Sequence, residues 1–221
     1  EDGLHELGYT PGQAAAVHTL LDGRAGVLLV AGAADPFASR HRLGLANMLA
    51  AGNRLVVSLE HRVHFKSEVL VQLVLPSGES ADFSALMAAA LAMSPDVLFI
   101  DDVRSAEEAR GLFEAVAAGV TVVAQLRSPG NPEALLRMVE FGIGKDVLAR
   151  DLLGMVARRS LRKICPSCAG RRVLTPEESA ALQAPPETSV AVPQGCAECG
   201  DGFRDRCVLQ DLWVNTPAVA A

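Results

Sequence analysis

The chain has 221 residues and a formal net charge of −6, and 50% of its residues are hydrophobic. That length can hold one sizeable α/β domain, or one domain with a small appendage. The composition argues against disorder, and the acidic balance gives no electrostatic reason to expect nucleic acid as a partner. No apolar run approaches the ~18 residues that a membrane span needs. We therefore expect a cytoplasmic protein, and any membrane association must come through a partner or a missing segment.

Helical and strand patterns alternate over most of the chain. In chain order they predict a helix over 11–22, a strand over 26–30, a helix over 41–51, strands over 55–59 and 69–75, a helix over 82–93, a strand over 97–100, a helix over 105–118, a strand over 120–126, and helices over 132–141 and 145–161. A turn is predicted at 76–78, and the predicted helix N-caps are Thr10, Ser105 and, for a short helix after the first cysteine pair, Thr175. Short connections between alternating strands and helices are typical of an α/β fold with a mostly parallel sheet covered on both faces.

Four of the five cysteines form two Cys-x-x-Cys pairs, Cys165/Cys168 and Cys196/Cys199. Two such pairs can place four thiolates around one Zn²⁺ in a closed tetrahedral site, which would be structural because no ligand position stays open. Two disulfides, or unpaired buried thiols, are the alternatives. Cys207 is expected to be a packed thiol, with a fifth ligand or a redox thiol as alternatives. The predicted organisation is a main domain over 1–161, a zinc subdomain with a closing strand over 162–216, and a tail over 217–221.

Several segments together resemble one protein family over essentially the whole chain. They are Leu7-Gly-Tyr-Thr-Pro11, Pro95–Arg104, Leu152–Ala157 followed by Leu161–Cys168, and Gly195–Cys199 followed by Gly202–Arg206. These segments resemble the C-terminal ATPase domain of type II secretion and type IV pilus assembly ATPases. The resemblance implies a RecA-like, P-loop NTPase-type fold, a hexameric ring and docking to a membrane platform protein. It also implies that the protein reaches the inner membrane peripherally, through such partners. Members of that family carry another domain before this one, so we expect a fragment or an unusually short protein.

The loop after the first predicted strand departs from the P-loop pattern. A P-loop reads Gly-x-x-x-x-Gly-Lys-Ser/Thr, in which backbone N–H groups wrap the phosphates and the lysine neutralises their charge. Here Gly32 and Ser39 keep their positions, but Phe37 replaces the second glycine and Ala38 replaces the lysine. Asp35 adds a negative charge, and Pro36 offers no N–H. Each change opposes the binding of a polyphosphate.

Other positions of the resembled active site have also changed. The family's acidic segment corresponds to residues 59–64, where Glu60 is kept and the other two acids are His61 and His64. The Gly-Glu at the tip of the family's Walker B strand corresponds to Asp101 and Asp102. The family's two arginines before that strand correspond to alanines, and its later histidine corresponds to Arg127. The alanines are Ala88 and Ala92.

Three features can be interpreted either as binding sites or as ordinary structural features. Glu60, His61 and His64 could share a second metal ion, or they could belong to a solvated loop. Asp101 and Asp102 could bind Mg²⁺, or they could pair with Arg104 or Arg127. The basic run over 158–163 could contact nucleic acid or anionic lipid, or it could be a solvated helix face, which the acidic chain favours.

These observations lead to the hypothesis of a pseudo-ATPase, a homologue without catalytic residues that acts as a scaffold or regulatory subunit of a secretion or pilus complex. Structural zinc is expected, and ATP with Mg²⁺ is not. The vestigial nucleotide site would consist of Gly32, Ser39, Glu60, Asp101, Asp102 and Arg127. Expected partners are a platform protein and an active ATPase paralogue, in a homo- or hetero-oligomeric ring. The alternatives are a divergent active ATPase and a sensor that binds a different small ligand in the remodelled pocket.

Overall fold

The computed structural model describes residues 3–33, 36–63, 65–75 and 83–216, with the backbone alone described at positions 36, 37 and 39. Asp35, His64, the turn predicted at 76–78 and the tail over 217–221 lie outside the described residues. The side chains of Phe37 and Ser39 do as well.

Seven helices and nine strands are described within those ranges. The helices are α1 (Pro11–Asp22), α2 (Pro36–Ala50), α3 (Phe83–Ala92), α4 (Ala106–Ala117), α5 (Asn131–Glu140), α6 (Lys145–Asp151) and α7 (Pro176–Leu182). The strands are β1 (Val27–Gly32), β2 (Val56–Glu60), β3 (Val71–Val74), β4 (Val97–Ile100), β5 (Thr121–Leu126), β6 (Leu152–Ile164), β7 (Gly170–Val173), β8 (Ser189–Val192) and β9 (Phe203–Val214). No described helix is both long enough and apolar enough to cross a bilayer.

Seven strands form one sheet in the order β3-β2-β4-β5-β1-β6-β9. The pairs β2/β3, β2/β4, β4/β5, β1/β5 and β1/β6 are all parallel. The predicted α/β fold with a mostly parallel sheet is therefore confirmed. Because carboxyl ends of parallel strands share one edge, the residues that follow β1, β2, β4 and β5 lie along a common edge, which is where open α/β sheets bind ligands.

The two faces of the sheet carry separate apolar cores. Alternate residues of β1 belong to different cores, with Leu29 in one and Leu28 in the other. The first core includes residues of α3 to α6, and the second includes residues of α1 and α2 together with Leu4 and Tyr9. Strands buried on both faces explain why β1, β2, β4 and β5 are completely buried runs.

Two helix boundaries differ from the prediction. The helix predicted over 145–161 ends at Asp151, and residues 152–164 form β6 instead. The apolar run after Asp151 has no clear period of its own, and its conformation is decided by parallel pairing with β1. The helix predicted from His41 begins earlier, at Pro36. Proline is favoured in the first helical turn because its missing N–H is not needed there.

The chain divides into two compact units, Glu1–Arg159 with Leu209–Ala221, and Ser160–Val208. The smaller unit contains the antiparallel pair β7/β8 and helix α7. Thr175 caps α7 through a capping box with Glu178, in agreement with the cap predicted at that threonine. Strands β6 and β9 contribute residues to both units.

Candidate functional site

The connection between β1 and α2 occupies the position of a P-loop and is very short. β1 ends at Gly32 and α2 begins at Pro36, so only residues 33–35 join them. A Cβ at Gly32 would lie 3.0 Å from the carbonyl oxygen of Arg158, which makes glycine the residue that fits this close approach. Ala38, at the position of the P-loop lysine, is buried and brings no charge.

A basic residue from another strand reaches this loop. Arg158 is the neighbour of Gly32 in the β1/β6 register, and its guanidinium donates to the carbonyl oxygen of Ala33 at 2.7 Å. Only 4% of Arg158 is exposed. The prediction of a solvated helix face over 158–163 was wrong for this residue, because the segment is a strand whose first part is buried against β1. Sequence reasoning missed Arg158, since no local pattern links it to a loop more than a hundred residues earlier.

A buried tyrosine–histidine pair lies in the core on the α2 side of the sheet. The Tyr9 hydroxyl lies 2.6 Å from Nε2 of His41, and the two rings are stacked with centroids 5.4 Å apart. Burial lowers the pKa of His41 to about 3, and the positive charge of Arg158 lowers it further in the same direction. Burial raises the pKa of Tyr9, against a smaller opposing effect of Arg158. His41 is therefore neutral, and its Nε2 can accept a hydrogen bond from the Tyr9 hydroxyl.

Glu60 ends β2 in a closed polar network. Its side chain is fully buried and accepts from Arg42 at 2.9 Å, from the Ser58 hydroxyl at 2.8 Å and from the Gln72 amide at 2.9 Å. Arg42 lies in the first half of α2, the helix that follows the loop. With both carboxylate oxygens occupied by protein donors, Glu60 is held as a buried ion pair.

Asp101 follows β4 and pairs with the histidine that follows β2. Its two oxygens accept from the backbone N–H of His61 at 2.9 Å and face Nδ1 of the same residue at 2.7 Å. On the other side of the ring, Nε2 of His61 lies 3.4 Å from Glu108 of α4. His61 thus bridges two carboxylates, while Glu60 faces Arg42 instead.

Asp102 forms ion pairs with two arginines. Nε of Arg104 lies 2.7 Å from its Oδ2, and a terminal nitrogen of Arg127 lies 2.8 Å from the same atom. The aspartate side chain is 7% exposed, whereas those of the arginines are 48% and 55% exposed. Because both arginines contact Oδ2, a magnesium ion at that oxygen would have to displace them.

The four paired cysteines converge in the smaller unit. Their sulfur atoms all lie within 4.8 Å of one another, with Cys168 3.6 Å and Cys196 3.5 Å from Cys199. Tetrahedral Zn²⁺ with its usual bond length to sulfur requires separations of about 3.8 Å. These four thiols could hold a metal ion, and their chemistry and spacing fit zinc. Within the described ranges, no other group of three or more His, Cys, Asp or Glu side chains approaches in this way.

Backbone geometry shapes each half of the cysteine cluster. The N–H of Cys165 donates to the carbonyl of Gly202 at 2.9 Å, and Gly200 donates to Cys196 at 2.8 Å. A Cβ at Gly195, where φ is +89°, would lie 2.6 Å from the carbonyl oxygen of Gly200, so glycine is required at this turn. Burial and hydrogen bonds to the other cysteines raise the pKa of Cys168 to about 12, whereas a backbone hydrogen bond from Glu198 helps lower the pKa of Cys196.

Comparison with known proteins places this architecture in a family. Residues 2–221 match the family described as Type II/IV secretion system protein. The chain belongs to that family. Type II secretion system protein E of Klebsiella pneumoniae is 26% identical over 210 residues, which are 95% of this chain and 42% of that protein. The type IV pilus assembly ATPase PilB of Pseudomonas aeruginosa is 27% identical over 225 residues, covering 98% of this chain and 39% of PilB.

A solved structure supports the fold of this Type II/IV secretion system family member. The ATPase DotB of Legionella pneumophila superposes with a TM-score of 0.66 at 15% identity, over 98% of this chain and 52% of DotB. The predicted family and its P-loop NTPase-type fold are thus confirmed. The chain spans about two fifths of the length of the two curated relatives.

Alanines occupy the two positions that correspond to the family's arginines before the Walker B strand. Ala88 and Ala92 lie on exposed positions of α3, where the resemblance places arginines. Of the predicted nucleotide-site residues, Asp102 and Arg127 are in direct contact, whereas Glu60 and Asp101 bind separate basic partners.

Proposed function

We propose that this chain is a pseudo-ATPase homologue of the type II secretion and type IV pilus ATPases that acts as a scaffold or regulatory subunit of a secretion or pilus assembly complex. The observation that supports this proposal is the self-pairing of the acids at the sheet edge. Glu60, Asp101 and Asp102 bind Arg42, His61 and the pair Arg104/Arg127 of the same chain. A nucleotide with its metal ion would have to compete with these pairs.

The electrostatic balance at the loop points the same way. A lysine at position 38 would contribute charge-assisted contacts of about 1.5–3 kcal/mol each to a bound phosphate, and Ala38 contributes none. That loss is a large part of the standard binding free energy of a micromolar complex, which is ~8 kcal/mol in magnitude. Arg158 directs one of its donors to the carbonyl of Ala33 in this loop.

A retained fold without a competent site favours a role in assembly. The described residues form two buried apolar cores and a cluster of four converging cysteines. A packed fold of this kind can present a rigid surface to an interaction partner. The partners we propose are a membrane platform protein and an active ATPase paralogue, in a homo- or hetero-oligomeric ring. Contact with a membrane would be made through them, and nucleic acid is not a proposed ligand.

We assign the cysteine cluster to structural zinc. Four thiolates close the coordination shell, so Cys165, Cys168, Cys196 and Cys199 would hold the ion without leaving a position for water or substrate. The ion would cross-link the connection between β6 and β7 to the connection between β8 and β9. Its contribution would be to folding of the smaller unit.

Calorimetric titration with ATP in the presence of Mg²⁺ tests the proposal, with PilB as the positive control. We expect no binding in the micromolar range and no phosphate release above background, for the wild type and for Asp102→Ala alike. Micromolar binding would contradict the loss of nucleotide recognition. Phosphate release that disappears in Asp102→Ala would instead establish a divergent ATPase in which Arg127 supplies the cation.

A further inference from the structure

Three buried polar side chains from different elements lie near the connection between β1 and α2. Arg158 comes from β6, His41 from α2, and Tyr9 from the segment before α1. Their exposed fractions are 4%, 3% and 2%. Polar groups buried to this extent are stable only when they hydrogen-bond, so their contacts constrain the elements that carry them.

Arg158 contacts the loop backbone and acts electrostatically on the pair beside it. Its guanidinium donates to Ala33 at 2.7 Å, immediately beyond the last residue of β1. The same charge lowers the pKa of both Tyr9 and His41. A single side chain thus binds the end of β1 and acts through its charge on the tyrosine–histidine pair.

The tyrosine–histidine pair extends this connection to the N-terminal segment. Tyr9 binds His41 in the first half of α2, and the carbonyl of nearby Leu7 accepts from the amide of Gln210 at 2.8 Å. Gln210 in turn accepts through its own carbonyl from Gln13 of α1 at 2.9 Å. The residues before α1 are therefore fixed to α2 on one side and to β9 on the other.

We propose that Arg158 is a positioning residue that fixes the end of β1 and the start of α2 without a nucleotide, taking over the ordering role that a bound phosphate has in a P-loop. A P-loop organises its backbone around an external anion. Here a cation of the chain itself binds a loop carbonyl, so the domain keeps one conformation whether or not nucleotide is present. This inference rests on the proposed function only in treating the site as free of nucleotide.

Hydrogen–deuterium exchange on the whole chain tests the role of Arg158. In Arg158→Met we expect amides in peptides covering 27–40 to exchange roughly tenfold faster or more, as loss of a buried charged hydrogen bond implies. Arg159→Met is the matched control, because that neighbouring arginine is exposed and binds the carbonyl of Pro129 instead. Arg158→Lys keeps the charge and should give an intermediate rate.

Two readouts separate positioning from general loss of stability. Peptides covering 101–105, which follow β4, should keep their exchange rate. The pKa of His41, followed by NMR, should rise in Arg158→Met but not in Arg158→Lys. Unchanged exchange over 27–40, or equally faster exchange over 101–105, would overturn the proposal. If Arg158→Met does not fold, the comparison of Arg158→Lys with wild type decides by the same criteria.

Addition of ATP to the same exchange experiment separates this inference from the proposed function. If ATP slows exchange over 27–40 in the wild type, the pseudo-ATPase proposal fails. In that case the effect of Arg158→Met without ATP still tests the positioning role. If ATP has no effect and Arg158→Met exchanges like the wild type, the positioning role fails and the pseudo-ATPase proposal stands.

Discussion

The carboxylate of Glu60 lies 2.9 Å from the guanidinium of Arg42, and the glutamate side chain has no exposure to solvent. The pair joins the end of β2 to α2, so it fixes the helix that follows the loop to the middle of the sheet edge. In the resembled family this glutamate belongs to the acidic segment of the active site. Here its oxygens are committed to protein donors.

Loss of one member of this pair should be costly, because an uncompensated charge would remain buried. We expect Arg42→Met to lower the free energy of unfolding by about 3–5 kcal/mol in urea denaturation. Arg54→Met is the matched control, since Arg54 pairs at 2.6 Å with an aspartate whose side chain is 59% exposed, and such pairs contribute about 0–1 kcal/mol. Equal losses in the two variants would show that the Glu60 pair is effectively solvated.

The low pKa of His41 should make stability depend on pH. Burial, assisted by Arg158, lowers this pKa to about 3. In the unfolded chain the residue titrates near pH ~6.5, so between about pH 6.5 and pH 3 the unfolded state binds a proton that the folded state does not. The free energy of unfolding should therefore fall, by about 1.4 kcal/mol per pH unit from this group, as the pH drops through that window.

Comparison of variants isolates the contribution of His41 from that of the carboxylates. His41→Gln should lose the contribution of His41 to the pH dependence of stability, so its curve should be less steep than that of the wild type between pH 6.5 and pH 3. His5→Gln, at an exposed position, should follow the wild-type curve. Urea denaturation at several pH values measures both. Parallel curves for wild type and His41→Gln would mean that folding does not shift the pKa of His41.

Removal of the metal should unfold the smaller unit. We expect one zinc per chain by native mass spectrometry, and its loss after chelation should abolish hydrogen-exchange protection within residues 160–208. Cys196→Ser should lose the metal, whereas Cys207→Ser should retain it, because Cys207 is not part of the converging group. A metal-free chain with two disulfides would instead support the alternative that the cysteine spacing left open.

Gly154 should tolerate no side chain. A Cβ at this position in β6 would lie 2.5 Å from the carbonyl oxygen of Trp213, and a backbone atom cannot move away cheaply. We expect Gly154→Ala to lower the free energy of unfolding by about 1–3 kcal/mol. Gly12→Ala provides the contrast, since nothing lies within 4 Å of that Cβ in α1, and alanine should stabilise the helix by about 0.5–1 kcal/mol. Thermal and urea unfolding measure both variants. An unchanged free energy of unfolding in Gly154→Ala would contradict the close approach.

Local signals predicted the elements that depend on local chemistry. The cap at Thr10 with Pro11 after it, the cap at Ser105 and the apolar run of β4 are all found where the sequence places them. The cysteine pairs are equally local, because each turn aims two sulfurs from neighbouring residues. These features depend on contacts between residues that are close in sequence.

Features that depend on distant contacts were not predictable. The stretch after Asp151 is a strand because β1 pairs with it, and neither its composition nor its period indicates that partner. The partner of Glu60 lies on a different element, at Arg42, and the cation beside the loop comes from β6. A sequence gives the residue types at a site, whereas the pairing between them is decided by the packing of the sheet.

Trp213 has a practical consequence for measurement. It is the single tryptophan of the chain, it packs against the core that contains α3 to α6, and it belongs to the larger unit. The one tyrosine, Tyr9, belongs to that unit as well. Ultraviolet fluorescence therefore reports on the larger unit alone, while a thiol-reactive dye follows the cysteine-rich unit. The wild-type chain can thus give two optical signals, one for each unit, without truncated variants.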